Sequence, residues 1–236
     1  MTEALATTAP LPPRDPHLPR SVFVPREGEP RLDLSIAELA QVAASGNGAG
    51  ELWVDVDMTN RHQVALLEKV FGFHPLSIED VLNPQSRVKV EEYPGYLFSI
   101  IRGVRFHEET DDPYDLETFN ISFFLGQHFL VTVHGGQSSA IASVADRLQR
   151  NPDFLRRGAE RLMHAIMDAA VDAYFPILDQ IDEFIDGLEE RVFGQFDQVV
   201  IRDIFAVKRA VLSLRRHLAP QREVFNVLTN RPSALL

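Results

Sequence analysis

From Ser21 onward, short runs rich in Val, Ile and Phe alternate with longer stretches whose apolar residues recur every three or four positions. The short runs predict strands at Ser21–Val24, Leu52–Val56, Tyr96–Phe106, Thr118–Leu125 and Phe129–His134, with Gly126-Gln127 as the hairpin turn between the last two. The longer stretches predict helices. Ser35-Ile36-Ala37-Glu38 is a capping box opening one that ends near Ser45-Gly46. Asn60–Phe71 carries Val64, Leu67, Val70 and Phe71 on one face and stops at Gly72. A short helix follows with Pro75 in its first turn, where a missing N–H costs nothing, and Ser138–Gln149 predicts another. Strands and helices mixed in this order indicate an α/β fold, a mixed sheet layered with helices as an αβα sandwich.

The pattern changes near Asn151-Pro152. Beyond it no strand period survives, and two long helical stretches are predicted at about Phe154–Phe193 and Asp197–Leu218. Ile177, Ile181, Phe184, Leu188 and Val192 form a stripe on the first. Val200, Ile204, Val207, Val211, Leu214 and Leu218 alternate at steps of four and three on the second. With Gly194-Gln195 between them, the two predict a long antiparallel helical hairpin protruding from the α/β domain, kinked at Pro176. An acidic stripe, Asp179, Asp182, Asp186 and Glu190, and a basic one, Lys208, Arg215 and Arg222, are expected to pair across the hairpin. The domain organisation is then a disordered arm over residues 1–20, marked by Pro10, Pro12, Pro13, Pro16 and Pro19, an α/β domain over 21–150, and a helical hairpin over 151–236. Gly46-Asn47-Gly48-Ala49-Gly50 follows a helix and precedes a strand. A phosphate loop needs the opposite order, so this run reads as a flexible connector.

Composition narrows the chemistry. The chain of 236 residues is 45% hydrophobic and 24% charged, which is globular material able to bury a substantial core. A net charge of -11 argues against nucleic acid, whose phosphates demand cationic partners, and leaves cations as the natural ligands. The absence of cysteine removes disulfides, thiolate catalysis and thiolate zinc sites. No run approaches the ~20 apolar residues that span a bilayer, and no signal-peptide pattern opens the chain, so this polypeptide is expected to be soluble. Enzyme motifs are missing: there is no Gly-x-Ser-x-Gly, no phosphate loop, and no His-x-x-x-His among eight histidines. His134-Gly135-Gly136 reads as a strand-ending turn and His74 as the entry to the short helix at Pro75. The chain reads as a non-enzyme.

Carboxylates are the candidate ligands. Glu79 and Asp80 are adjacent, and Asp168 and Asp172 lie one helical turn apart. Unpaired carboxylates held ~5 Å apart repel by ~3 kcal/mol at an effective dielectric near 20, and a divalent cation between them reverses the sign. Solvation or pairing with Arg is the plainer role for such charges.

His74-Pro75-Leu76-Ser77-Ile78-Glu79-Asp80-Val81-Leu82-Asn83, followed by Lys89-Val90-Glu91-Glu92-Tyr93, resembles the motif of the CorA family of divalent-cation transporters. Similar order and spacing extend from about Leu52 to Pro232. They include Trp53-Val54-Asp55, the segment Asp168-Ala169-Ala170-Val171-Asp172-Ala173-Tyr174-Phe175, and Leu218-Ala219-Pro220-Gln221-Arg222-Glu223-Val224. The resemblance implies the cytoplasmic regulatory domain of a magnesium or cobalt transporter, soluble as a fragment. The intact protein would be a homo-pentamer on the cytoplasmic face of the cell inner membrane, attached only through C-terminal transmembrane helices not present here. It implies weakly bound Mg2+, or Co2+ or Zn2+, at sites between subunits, with Glu79 and Asp80 facing Asp168 and Asp172 of a neighbour. An Asp on a stalk helix, expected beyond Leu236, would complete the family's site, and the family's hairpin tips are acidic and gather cations. Two departures stand out: Val88 where the family often has Pro, and Pro176. A ZntB-type zinc transporter domain shares this architecture, and a scaffold or adaptor that kept the fold without transport is the alternative from another class.

Overall fold

The computed structural model describes residues 15–46, 49–106, 116–136, 138–194 and 198–230. Most of the expected proline-rich arm (1–14), residues 47 and 48 of the glycine connector, residue 195 of the hairpin turn and the segment from 231 lie outside them.

Seven strands form one mixed sheet: β1 (Arg20–Pro25), β2 (Arg31–Leu32), β3 (Gly50–Asp57), β4 (Lys89–Tyr93), β5 (Tyr96–Phe106), β6 (Leu116–Leu125) and β7 (Phe129–His134), in the order β2-β1-β3-β7-β6-β5-β4. All neighbours are antiparallel except β3 and β7, which run parallel with Trp53 opposite Leu130. The β6–β7 turn closes on a hydrogen bond from Gly126 N to Phe129 O of 2.9 Å. The Phe129 ring lies where a Cβ on Gly126 would sit, at 2.1 Å, so only glycine fits there.

Consecutive residues are buried on the central strands, such as Leu52, Trp53 and Val54, because helices cover both faces. On one face Phe23, Leu52, Val54, Val56, Phe98, Ile100 and Phe124 pack under α1 (Ile36–Ala44), α2 (Arg61–Lys69) and α3 (Pro75–Leu82). On the other, Val22, Val24, Trp53, Ile101, Ile121, Phe123 and Leu130 pack under α4 (Ser139–Arg150), a 3-10 turn (Pro152–Arg157) and α5 (Ala159–Asp172). This is the αβα sandwich. The capping box at Ser35 and Glu38 forms as the sequence indicates. β4 was not anticipated. It is an edge strand of five residues, four of them polar, with no apolar alternation to read.

No strand occurs after β7 among the described residues, but the long helices differ from expectation. The first is three pieces: the 3-10 turn, α5, and α6 (Phe175–Gly194). Pro176 does not kink a continuous helix. Its missing N–H is tolerated in the first turn of α6, so the chain turns at Ala173-Tyr174 and restarts. The boundary expected near residue 151 also falls inside the sandwich, since Leu162, Met163 and Ile166 of α5 are buried against the sheet. Glu51 of β3 helps hold α5 there. Its carboxylate accepts from Ala159 N (3.1 Å) and contacts His128 Nδ1 (2.8 Å), which caps a helix lacking its own N-cap side chain.

The second long helix, α7 (Gln198–Asn230), passes through Pro220 and returns to the sheet. β4 pairs with β5 only as far as Ile100, leaving the next stretch of β5 with an open edge. Gln221 and Tyr174 close it. Arg102 N donates to Gln221 Oε1 (2.9 Å), Tyr174 Oη donates to Arg102 O (2.8 Å), and Gln221 Nε2 donates to Tyr174 Oη (3.1 Å). The α6–α7 seam holds Ile177, Ile181, Leu188, Val200, Val207 and Leu214, with Phe184, Val192 and Leu218 at its margin. Ile204 and Val211, expected in the seam, are 41% and 43% exposed, because Ala206 and Ala210 take the inward positions instead. Charge pairing across the hairpin is corrected too. Asp179, Asp182, Asp186 and Glu190 project from the side of α6 opposite the seam, all are exposed, and none pairs with Lys208, Arg215 or Arg222. An ion pair that crosses the hairpin among the described residues joins Arg191 to Asp203 (2.8 Å).

Candidate metal centre

The carboxylates on α3 are positioned from the helix entry. His74 is the N-cap. Its Nδ1 accepts from Leu76 N (3.2 Å) and its own N–H donates to Tyr96 Oη (3.0 Å). Ser77 Oγ donates to His74 O (2.8 Å) and lies 3.0 Å from Tyr96 Oη. Ile78 and Val81 pack into the core below, so Glu79 and Asp80 are carried on the outer side of a helix locked at both its cap and its base.

The two carboxylates differ. Glu79 is exposed, has no hydrogen-bond or ionic partner among the described residues, and lines two shallow clefts, one with Asp80 and one with Glu68 and Ile78. Asp80 is half-buried and engaged. Lys89 Nζ lies 2.5 Å from its Oδ2, and Ser86 Oγ donates to its Oδ1 at 3.2 Å. The ammonium also reaches Glu91 Oε1 at 3.0 Å, and Glu91 is held from its other oxygen by Tyr93 Oη at 3.1 Å. Burial alone would push the Lys89 ammonium down, but its hydrogen bonds to Asp80 and Glu91 outweigh that and hold its pKa above the ordinary value. Burial and the bond to Glu91 push the Tyr93 phenol up. Lys89, Glu91 and Tyr93 lie in the motif segment, yet sequence reasoning gave them no role. Their spacing of two, which sets all three on one face of a strand, was the available signal.

Asp168 and Asp172 sit one turn apart on the exposed side of α5, with no partner among the described residues. His164, exposed one turn before Asp168, extends the same stripe and was passed over in the sequence. The structure does not bring the two carboxylate pairs together. α3 covers one face of the sheet and α5 the other, with the buried layer between them. No cluster of three or more His, Asp or Glu side chains suited to one metal ion forms among the described residues. The donors present are oxygens that hard divalent cations accept, one or two at a time with water completing the shell, so each half fits such an ion only as part of a site. No helix among the described residues is long and apolar enough to cross a membrane.

A family model described as "CorA-like Mg2+ transporter protein" matches residues 48–235. The chain is 34% identical over 172 residues to the putative metal ion transporter YfjQ of Bacillus subtilis, covering 73% of this chain and 52% of that one. It is 29% identical over 180 residues to the cobalt/magnesium transport protein CorA of Thermotoga maritima, covering 75% of this chain and 50% of the relative. The chain thus spans about half the length of these two relatives. Among solved structures, the complete CorA magnesium transporter of Methanocaldococcus jannaschii superposes with a TM-score of 0.74 at 16% identity, covering 93% of this chain and 65% of that one. The ZntB cytoplasmic domain of Vibrio parahaemolyticus superposes at 0.68 and 16% identity, covering 92% and 82%.

Proposed function

Because the chain belongs to the CorA-like Mg2+ transporter family, we propose that it is a cation-sensing regulatory portion of a divalent-cation transporter. In this reading it works at the cytoplasmic face of the inner membrane, within a homo-pentamer attached through membrane helices elsewhere in the intact protein. The cations it senses are Mg2+ or Co2+, bound weakly between copies. Glu79 and Asp80 of one copy face Asp168 and Asp172 of the next. One observation carries this: two carboxylate pairs lie on opposite faces of one sheet, with Glu79, Asp168 and Asp172 exposed and unpartnered. A site using both needs two copies. A bridging cation favours the closed, symmetric assembly, and its loss leaves carboxylates repelling across interfaces.

The test is a magnesium titration of the melting temperature. A site with a dissociation constant of ~1 mM gives ~1.4 kcal/mol at ~10 mM cation, a rise of a few degrees. Asp80→Asn combined with Asp168→Asn removes most of that rise. If the double variant keeps the full shift, these residues are solvated surface charges and the scaffold reading takes over. The zinc reading has its own support in His164, whose imidazole adds a nitrogen donor beside Asp168. Under it, Zn2+ shifts the melt at far lower concentration than Mg2+, and His164→Ala abolishes the difference.

A further inference from the structure

Asp80 is a proposed cation ligand that already has a cation on it. The Lys89 ammonium lies 2.5 Å from Asp80 Oδ2 and 3.0 Å from Glu91 Oε1, so it bridges two carboxylates on two elements, α3 and β4. The ammonium also lies over the Phe98 ring, with Nζ 5.6 Å from the ring centre. Lys89 and Asp80 are 25% and 30% exposed, enough for solvent and ions to reach the pair, yet sheltered enough for the contact to matter. Tyr93 fixes Glu91 from its far oxygen, so the second acceptor stays in place whether or not the first is occupied.

We propose that Lys89 is a tethered competitor for the cation site, holding Asp80 when no divalent ion is bound and moving wholly onto Glu91 when one binds. This rests on the reading that Asp80 is a cation ligand. A divalent ion on Asp80 repels the ammonium, and the side chain has somewhere to go: Glu91 is already bonded to it, so displacement breaks one contact and keeps the other. The device does two things. It offsets the charge of Asp80 in the cation-free state, so the repulsion between copies is left to Glu79, Asp168 and Asp172. It also raises the cation concentration needed to fill the site, which sets the sensor's threshold through a residue that never touches the ion.

The two arms of the bridge predict opposite effects, which a merely structural ion pair does not. Lys89→Met keeps an unbranched apolar side chain and removes the charge. The magnesium concentration giving half of the Asp80-dependent rise in melting temperature then falls roughly three- to tenfold. Glu91→Gln leaves the ammonium with Asp80 alone, and the half-rise concentration goes up. Lys89→Arg retains a competing cation and stays near the parent value. If Lys89→Met does not fold, Lys89→Gln is measured for the same fall. The titration is run on the full chain with MgCl2 at constant ionic strength, beside Asp80→Asn. An unchanged or raised half-rise concentration in the Lys89→Met protein, or a shift in the same direction for Glu91→Gln, overturns the competitor. If Asp80→Asn keeps the parent's full magnesium response, the cation-site reading itself falls and the competitor falls with it. An Asp80-dependent response without the opposed shifts sinks the competitor alone.

Discussion

Two histidines, His134 at the end of β7 and His217 on α7, give the fold pH dependences of opposite sign. His134, the last residue of β7, lies 3.3 Å from an Asp55 oxygen, and its Nδ1 reaches Gly136 O at 2.9 Å. Asp55 also accepts from Thr132 Oγ1, which in turn accepts from the Trp53 indole. Burial would lower the imidazole pKa, but the bond to Asp55 and the charges of Asp55 and Asp57 overcome it and hold the pKa above the usual ~6.5. The folded state therefore favours charged His134. Its contribution is fully present below ~6.5 and is lost as pH rises through the raised folded value. His217 opposes this, since burial and then Arg102 and Arg216 lower its pKa, so its contribution is lost as pH falls. Urea midpoints from pH 5.5 to 8.5 separate the two. The decline above pH 6.5 is present in the parent and absent from His134→Asn. A second residue-scale prediction concerns Gln221, 3% exposed and bonded to Arg102 N and Tyr174 Oη. Gln221→Leu strands a strand-edge N–H and costs about 1–3 kcal/mol by denaturant unfolding.

At the scale of elements, the hairpin seam makes the sharpest distinction between pattern and packing. Leu214 and Val211 both fit the heptad-like alternation, but Leu214 is 4% exposed and Val211 43%. Leu214→Ala costs about 2–5 kcal/mol and Val211→Ala about 0.5 kcal/mol or less, measured as the difference in unfolding free energy. Equal effects would return Val211 to the seam. The same contrast explains how much of the fold was legible. Strands buried on both faces announce themselves as unbroken apolar runs, and Ser35, Asn60 and Pro75 mark helix starts by local chemistry, so these elements and the sandwich could be read directly. β4 could not, because four of its five residues are polar and its place at the sheet edge is set by pairing with β5. Pro176 separates two helices that periodicity joined, whereas α7 continues through the exposed Pro220 because Gln221 and Val224, just beyond it, are buried against the sandwich. The proposed site was legible only as residue types and family position. Which face of the sheet each carboxylate would occupy, and that Lys89 would sit on Asp80, depended on tertiary placement.

For the whole molecule, the placement of α3 and α5 on opposite faces turns the proposed cation site into a statement about assembly. One half-site per face is heterologous: the front of one copy meets the back of the next, which closes into a ring when the rotation allows. The proposed reading expects the chain alone to be monomeric or weakly associated at micromolar concentration, and light scattering finding a tight pentamer without cation contradicts it. The geometry also permits a complementation test. Asp80→Asn spoils only the front half-site and Asp168→Asn only the back, so either variant alone has no interface with both halves intact and loses magnesium-driven association. Mixed one to one, the intact front of an Asp168→Asn copy meets the intact back of an Asp80→Asn copy, and each such contact restores one complete site. Sedimentation at ~10 mM MgCl2, at the concentration where the parent chain associates, should therefore find association in the mixture and in neither component. A site contained within a single chain cannot be rescued by mixing, because every molecule still lacks one of its own ligands. Two inert variants that stay inert together would place any cation binding within one copy and remove the inter-copy mechanism.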